Sequence, residues 1–198
     1  VIILIRHGQS TSNAEGLLVG RRDTVLTELG ERQARSLAPQ LLGVEAAWTS
    51  PLARARQTAA LALPECNPVV KESFIEVDYG DLEGQPFSVV AAERAASLDH
   101  GHEVAFGGGE SLAAVDERVR TELDALLADR STLLHSPTRH LAIVSHVSPI
   151  KAAAMWALGV AGSTAWRTRL DNGSMTIIGV RAHSPVLVCL NAVPAVTA

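Results

Sequence analysis

Cysteine is scarce in this chain of 198 residues: only Cys66 and Cys189 occur, far apart and without C-x-x-C or His–Cys spacing. Neither a zinc site nor a disulfide framework is indicated, and a reducing cytoplasm is the default setting. Long apolar runs are missing as well. The opening run of five residues is too short for a signal-peptide core, and no window approaches the length of a transmembrane helix, so no membrane partner is expected. Positive charge is not in excess. A formal net charge of −4 argues against nucleic acid as a partner, and any basic patch must be local. Low-complexity tracts, linkers and array repeats are absent too. What is present is the ordinary balance of a globular protein, 47% hydrophobic and 19% charged, long enough for one domain with a proper core. A monomer or homodimer is expected.

The stretch that organises the chain is its beginning. Val1-Ile2-Ile3-Leu4-Ile5 reads as a strand buried on both faces, and Arg6-His7-Gly8 follows at its carboxyl end, where open α/β sheets bind ligands. A neutral imidazole can act as a nucleophile, a neighbouring guanidinium can clamp a phosphate, and a glycine lets backbone approach a ligand closely. After a loop from Ala14 to Thr24, Thr27 is a plausible N-cap. Leu29, Ala34, Leu37, Ala38, Leu41 and Leu42 then predict an amphipathic helix closed by Gly43. A short strand over 46–49 runs into Ser50-Pro51, which reads as an N-cap with proline at the first helical position; that helix carries Arg54 and Arg56 in its first turns. A third strand is expected over 68–72, followed by an irregular acidic segment containing Glu76 and Glu83.

Residues 86–98 can form a helix, and the loop beyond ends in Gly107-Gly108-Gly109, a possible hinge. Ser111 caps a long helix whose Leu112, Val115, Val119, Leu123, Leu126 and Leu127 keep the helical period. The strand 141–145 leads to His146, and Ser148-Pro149 repeats the cap-plus-proline pattern before a helix that stops near Gly159. Strands over 175–180 and 186–190, with a turn containing Pro185, close the chain. Strands alternating with helices predict an α/β three-layer sandwich: a mostly parallel sheet with an antiparallel edge and helices on both faces. In such a sheet Arg6-His7, the 50–54 junction, the Glu76 segment and Ser145-His146 emerge at one carboxyl edge. Together with two helix N-termini they make a local electropositive hole suited to a dianionic phosphate.

With these residues in place the chain resembles the histidine phosphatase superfamily, also called phosphoglycerate-mutase-like. The matching motifs are Arg6-His7-Gly8-Gln9-Ser10 with Asn13, Leu26-Thr27-Glu28-Leu29-Gly30, Thr49-Ser50-Pro51-Leu52 with Arg54-Ala55 and Thr58-Ala59, Glu76 with Gly80 and Glu83-Gly84, Gly108-Gly109-Glu110-Ser111, and Val144-Ser145-His146. They run in order over nearly the whole chain. The resemblance implies that His7 is the nucleophile that takes the phosphoryl group and His146 the second histidine that holds and polarises it. It further implies that Arg6 and Arg54 neutralise the phosphate oxygens, that Asn13 is a further donor, and that Glu76 is the general acid. Neither a metal nor another cofactor is then required, because the arginines supply the charge.

Other residues receive no catalytic role. Arg56 reads as a solvent-facing residue and Glu83 as part of a Glu-Gly turn, while His100, His102, His135, His140 and His183 lack ligand spacing and read as surface groups. Two positions depart from the family pattern. Val147 stands where many members have glycine, which is tolerable if only its backbone amide binds phosphate. Leu17 stands where an arginine often follows the Glu-Gly pair, and Arg21 or Arg22 are the candidates to substitute for it. The run Val144-Ser145-His146-Val147-Ser148-Pro149-Ile150-Lys151 looks most like the acid-phosphatase and α-ribazole-phosphatase-like branch. The expected activity is hydrolysis of a small phosphorylated metabolite through a phosphohistidine. Cofactor-dependent mutase chemistry is the alternative, disfavoured because the segment from Gly84 to Glu110 offers Arg94 as its one fixed cation. A catalytically silent module of the same fold is a third reading, which the intact set of motif residues opposes.

Overall fold

The computed structural model describes residues 1–88, 105–129, 139–181 and 184–196. Beyond residue 88 the helix expected over 86–98 lies outside them, as do Arg94, His100, His102, His135 and His183. Strand β1 (Ile2–Arg6) is central. Strands β2 (Val44–Thr49), β3 (Val69–Val70) and β4 (His140–Ser145) complete the parallel part of the sheet, and β5 (Met175–Arg181) and β6 (Ser184–Ala192) form its antiparallel edge. The spatial order is β3-β2-β4-β1-β5-β6.

Helices α1 (Thr11–Ala14), α2 (Glu28–Leu37), α3 (Ala53–Ala62), α4 (Leu112–Ala128) and α5 (Val147–Leu158) follow in chain order among the described residues. Alternation along β1 sorts the core into two layers. Ile2 and Leu4 pack with Val115, Val119 and Leu123 of α4 and Ile150 and Ala153 of α5, whereas Ile3 and Ile5 pack with Leu37 of α2 and Ala55 and Ala59 of α3. A strand covered on both faces has no polar side to present, which is why β1 is apolar without interruption from Ile2 to Ile5 and turns polar only at its end, Arg6. The three-layer architecture read from the sequence is therefore the one observed.

Several local expectations are corrected. Helix α2 ends at Leu37, not at Gly43: Pro39 turns the chain into a 3-10 segment, Ala38–Gln40, and Leu42 is 82% exposed. The third strand is two residues long and is followed by a 3-10 turn, Glu72–Phe74. Pro185 lies within β6 rather than in the turn; β6 is an edge strand, where a missing N–H is tolerated. His140 opens β4 and is half-buried instead of lying on the surface. Thr27, Ser111 and Gly159 cap as expected, Gly159 in the left-handed region at φ +65°.

The serine-proline junctions do not cap as the sequence suggested. The N-cap of α3 is Leu52, and the first helical amide, that of Ala53, donates to Asp23 Oδ1 at 2.7 Å. The N-cap of α5 is His146, with Ser148 and Pro149 inside the first turn. Both helix starts are thus served by carboxylates from remote loops.

Candidate active site

Parallel pairing brings three strand ends into register. Arg6 lies beside Ser145 and Thr49 beside Val144, while the His7 amide donates to the Ser145 carbonyl at 3.0 Å and the Ser50 amide to the Val144 carbonyl at 2.9 Å. The side chains that follow each strand therefore share one edge. A cavity of about 510 Å³ opens there, with Arg6, His7, Asn13, Arg54 and Glu76 on its wall.

His7 is buried, and its Nδ1 lies 2.7 Å from the Gly8 carbonyl. A carbonyl only accepts, so Nδ1 carries the proton and Nε2 keeps its lone pair. Gly8 is required for a reason other than ligand approach: a Cβ at this position would strike the backbone of Gly30 in the first turn of α2. The Gly8 amide donates to Thr58 Oγ1 at 3.1 Å, and Thr58 Oγ1 donates to the Arg54 carbonyl at 2.8 Å, tying the His7 loop to the Arg54 helix.

His146 is 0% exposed, with its ring centroid 5.0 Å from that of His7. Its Nε2 lies 2.7 Å from Ser50 Oγ, and its Nδ1 is buried without a partner. Burial holds both imidazoles well below the ordinary value of 6.5, and the positive charge of Arg54, then of other nearby cations, pushes the same way.

Arg54 is 2% exposed and donates to the carbonyls of Gly20 (2.7 Å) and Arg22 (3.0 Å). Arg6 Nη1 donates to the Leu170 carbonyl at 2.6 Å, and its buried Nε has no partner among the described residues. Burial disfavours the charge on both guanidiniums, and Glu76 is the first carboxylate that opposes this. Asn13 Oδ1 accepts from the Ser10 amide and from Asn172 Nδ2, both at 3.1 Å, so its own NH₂ is the end left for the cavity. Asn172 also donates to the His7 carbonyl at 3.2 Å. Sequence reasoning missed this residue, although the polar Asp171-Asn172-Gly173-Ser174 turn before an apolar strand was a visible signal.

Glu76 is 6% exposed. Its Oε1 accepts from the amides of Val77 (2.9 Å) and Ser148 (3.2 Å), and its Oε2 from that of Val147 (3.1 Å). The Val147 amide, expected to bind phosphate, is therefore spent on Glu76. Arg118, also missed, fixes the Glu76 segment by donating to the Ser73 carbonyl at 2.6 Å and pairing with Glu110 at 2.9 Å. Glu110 in turn pairs with Arg21 at 3.2 Å. Glu83 accepts from the Arg21 and Arg22 amides, both at 2.7 Å, which is the structural role expected of it. Neither Arg21 nor Arg22 lines the cavity. Its further cations are Lys151 and Arg169, beside Trp166 and an apolar wall that includes Leu17 and Leu18. Among the described residues no group of three or more His, Cys, Asp or Glu is placed to hold a metal ion, and no helix is long and apolar enough to cross a membrane.

Neutral buried histidines make stability depend on pH. In the unfolded chain His7 and His146 take up protons as pH falls through about 6.5, while the folded chain resists, so the unfolded state binds more protons and stability falls toward acid. Each histidine contributes a slope of up to about 1.4 kcal/mol per pH unit. Urea unfolding in phosphate-free buffer, from about pH 7.5 to about 5.5, is expected to show this loss. A flat profile over that range would contradict the buried neutral pair.

An imidazole lone pair in a cavity walled by two guanidiniums suits an oxygen-rich anion. Fold and motif residues together define the class of α/β phosphatases. The chain belongs to the histidine phosphatase superfamily (branch 1), whose sequence model matches residues 2–193. It is 32% identical over 203 residues to phosphoserine phosphatase 1 of Hydrogenobacter thermophilus, covering 96% of this chain and 91% of that one. It is 31% identical over 204 residues to the 2,3-bisphosphoglycerate-dependent phosphoglycerate mutase of Beijerinckia indica, covering 94% of each. Its fold superposes on the alpha-ribazole phosphatase of Shigella flexneri with a TM-score of 0.80 at 25% identity, over 98% of both chains.

Proposed function

We propose that this chain is a phosphomonoesterase that hydrolyses a small phosphorylated metabolite through a phosphohistidine at His7, in the cytoplasm and without a metal ion. The observation that carries this reading is the 2.7 Å hydrogen bond from His7 Nδ1 to the Gly8 carbonyl, which aims an unprotonated Nε2 at a cavity walled by Arg6 and Arg54. In the first step Nε2 attacks phosphorus, the ester P–O bond breaks, and Glu76 delivers a proton to the departing oxygen. In the second, Glu76 takes a proton from water, the water oxygen bonds to phosphorus, and the P–N bond breaks to release phosphate. Arg6, Arg54, Asn13 and His146 hold the equatorial oxygens, whose charge the transition state spreads. The phosphatases among the relatives support the same chemistry.

Mutase chemistry is the second reading, favoured by one observation: Lys151 and Arg169 supply cations in the cavity beyond the catalytic set. Against it, Arg169 is bound to Asp171 at 2.7 Å, the Arg21 guanidinium pairs with Glu110 at 3.2 Å, and neither Arg21 nor Arg22 lines the cavity. A panel of alkyl and sugar phosphates assayed for free phosphate tests the proposal. Activity is expected with EDTA present, and loss restored by a divalent ion would overturn metal independence. If 2- and 3-phosphoglycerate interconvert much faster than phosphate appears, the mutase reading replaces hydrolysis.

A further inference from the structure

Ser50 closes β2 at a place with no access to water, and its hydroxyl has two neighbours within hydrogen-bonding reach among the described residues. One is the Leu52 amide at 3.3 Å, and the other is His146 Nε2 at 2.7 Å. The amide can only donate. The hydroxyl's own proton therefore has a single acceptor available, the Nε2 lone pair. The opposite arrangement, with Nε2–H donating to Ser50, strands the hydroxyl proton and also leaves a bare lone pair at Nδ1, two unsatisfied buried groups instead of one.

We infer that Ser50 is a positioning residue that locks His146 in the tautomer carrying its proton on Nδ1. The Nδ1–H so fixed has no partner among the described residues, on a ring whose centroid lies 5.0 Å from that of His7. The groups whose charge reaches His146 are Arg6, Arg54 and Arg118, with His7 beside it and Glu76 across the first turn of its helix. Burial first, and then these cations, disfavour an imidazolium here, so a donor comes from a neutral ring of defined tautomer, and Ser50 defines it. A neutral donor also needs no proton uptake when substrate binds. The tautomer stands on the hydrogen-bond geometry alone; its use on a phosphoryl oxygen rests on the function proposed above.

The test is ¹⁵N NMR of the histidine-labelled protein near neutral pH, with His146 assigned by the loss of its signals in His146→Gln. A pyridine-type Nε2 and a pyrrole-type Nδ1 are expected in the free enzyme, and the reverse pattern overturns the inference whatever the enzyme's reaction. Ser50→Ala is expected to mix the two tautomers and to lower kcat by up to about a hundredfold, the lower end of what losing one oxyanion donor costs, with a smaller change in KM. Unchanged kcat and unchanged ¹⁵N shifts in that variant would overturn it, and should the variant not fold, the wild-type spectrum decides alone. The two readings fail separately: a His7→Ala protein with full turnover removes the phosphohistidine without touching the tautomer.

Discussion

His7→Ala is expected to slow turnover by about 10⁵-fold, the scale seen when a covalent nucleophile is removed. Rapid quench of the parent enzyme with labelled substrate should trap an acid-labile, base-stable phosphoryl adduct that the variant does not form. The size of the loss follows from the division of labour in the cavity. Arg6, Arg54 and Asn13, the proposed phosphate holders, remain in the variant, so affinity for inorganic phosphate should persist while the bond-forming atom is gone. Because burial and Arg54 hold His7 neutral well below the ordinary imidazole value, its lone pair stays available as pH falls through 6.5. The acid limb of kcat/KM for the parent enzyme should therefore lie below that point. A labelled adduct of undiminished yield in His7→Ala would place the covalent step on another residue.

The parts of the site legible in sequence were those whose chemistry and position are both local. A buried strand ending in Arg6-His7 declares the sheet edge and the proposed nucleophile together, and the strand ending in Ser145-His146 repeats the device at the same edge. Helix α2 was overextended because Leu41 and Leu42 continue an apolar rhythm that Pro39 has already broken. The caps at Ser50 and Ser148 failed for a different reason. A serine before a proline is a local signal, but Asp23 and Glu76 reach the first helical amides, those of Ala53 and Val147, from loops 30 and 71 residues away, and a carboxylate gives a helix N-terminus more than a hydroxyl does. Distance along the chain also hid Arg118 and Asn172, which reach the site through the backbone carbonyls of Ser73 and His7. The expectation that Arg21 or Arg22 replaces a missing basic residue in the cavity fell to Glu83 and Glu110, whose carboxylates claim those segments first.

Glu76 carries the second large effect, and its double use makes the experiment discriminating. Its carboxylate caps α5 through the Val147 and Ser148 amides and also lines the cavity where the leaving oxygen must depart. Glu76→Gln swaps one acceptor oxygen for an NH₂ that cannot accept from an amide, and the lost cap should cost about 1 kcal/mol of stability. That cost is independent of the substrate. Loss of the proton donor is not: an alkoxide is a poor leaving group and needs the proton, whereas an aryl oxide hardly does. Turnover of alkyl phosphates is therefore expected to fall by about 10²–10⁴-fold, and phosphorylation of His7 by an aryl phosphate far less. The second half-reaction also needs Glu76 to take a proton from water, so with aryl phosphates the variant should accumulate phosphohistidine. A burst of phenol followed by slow phosphate release would report it. Equal slowing of alkyl and aryl esters without a burst would leave Glu76 a helix cap and nothing more, and the acid would have to be sought elsewhere on the cavity wall.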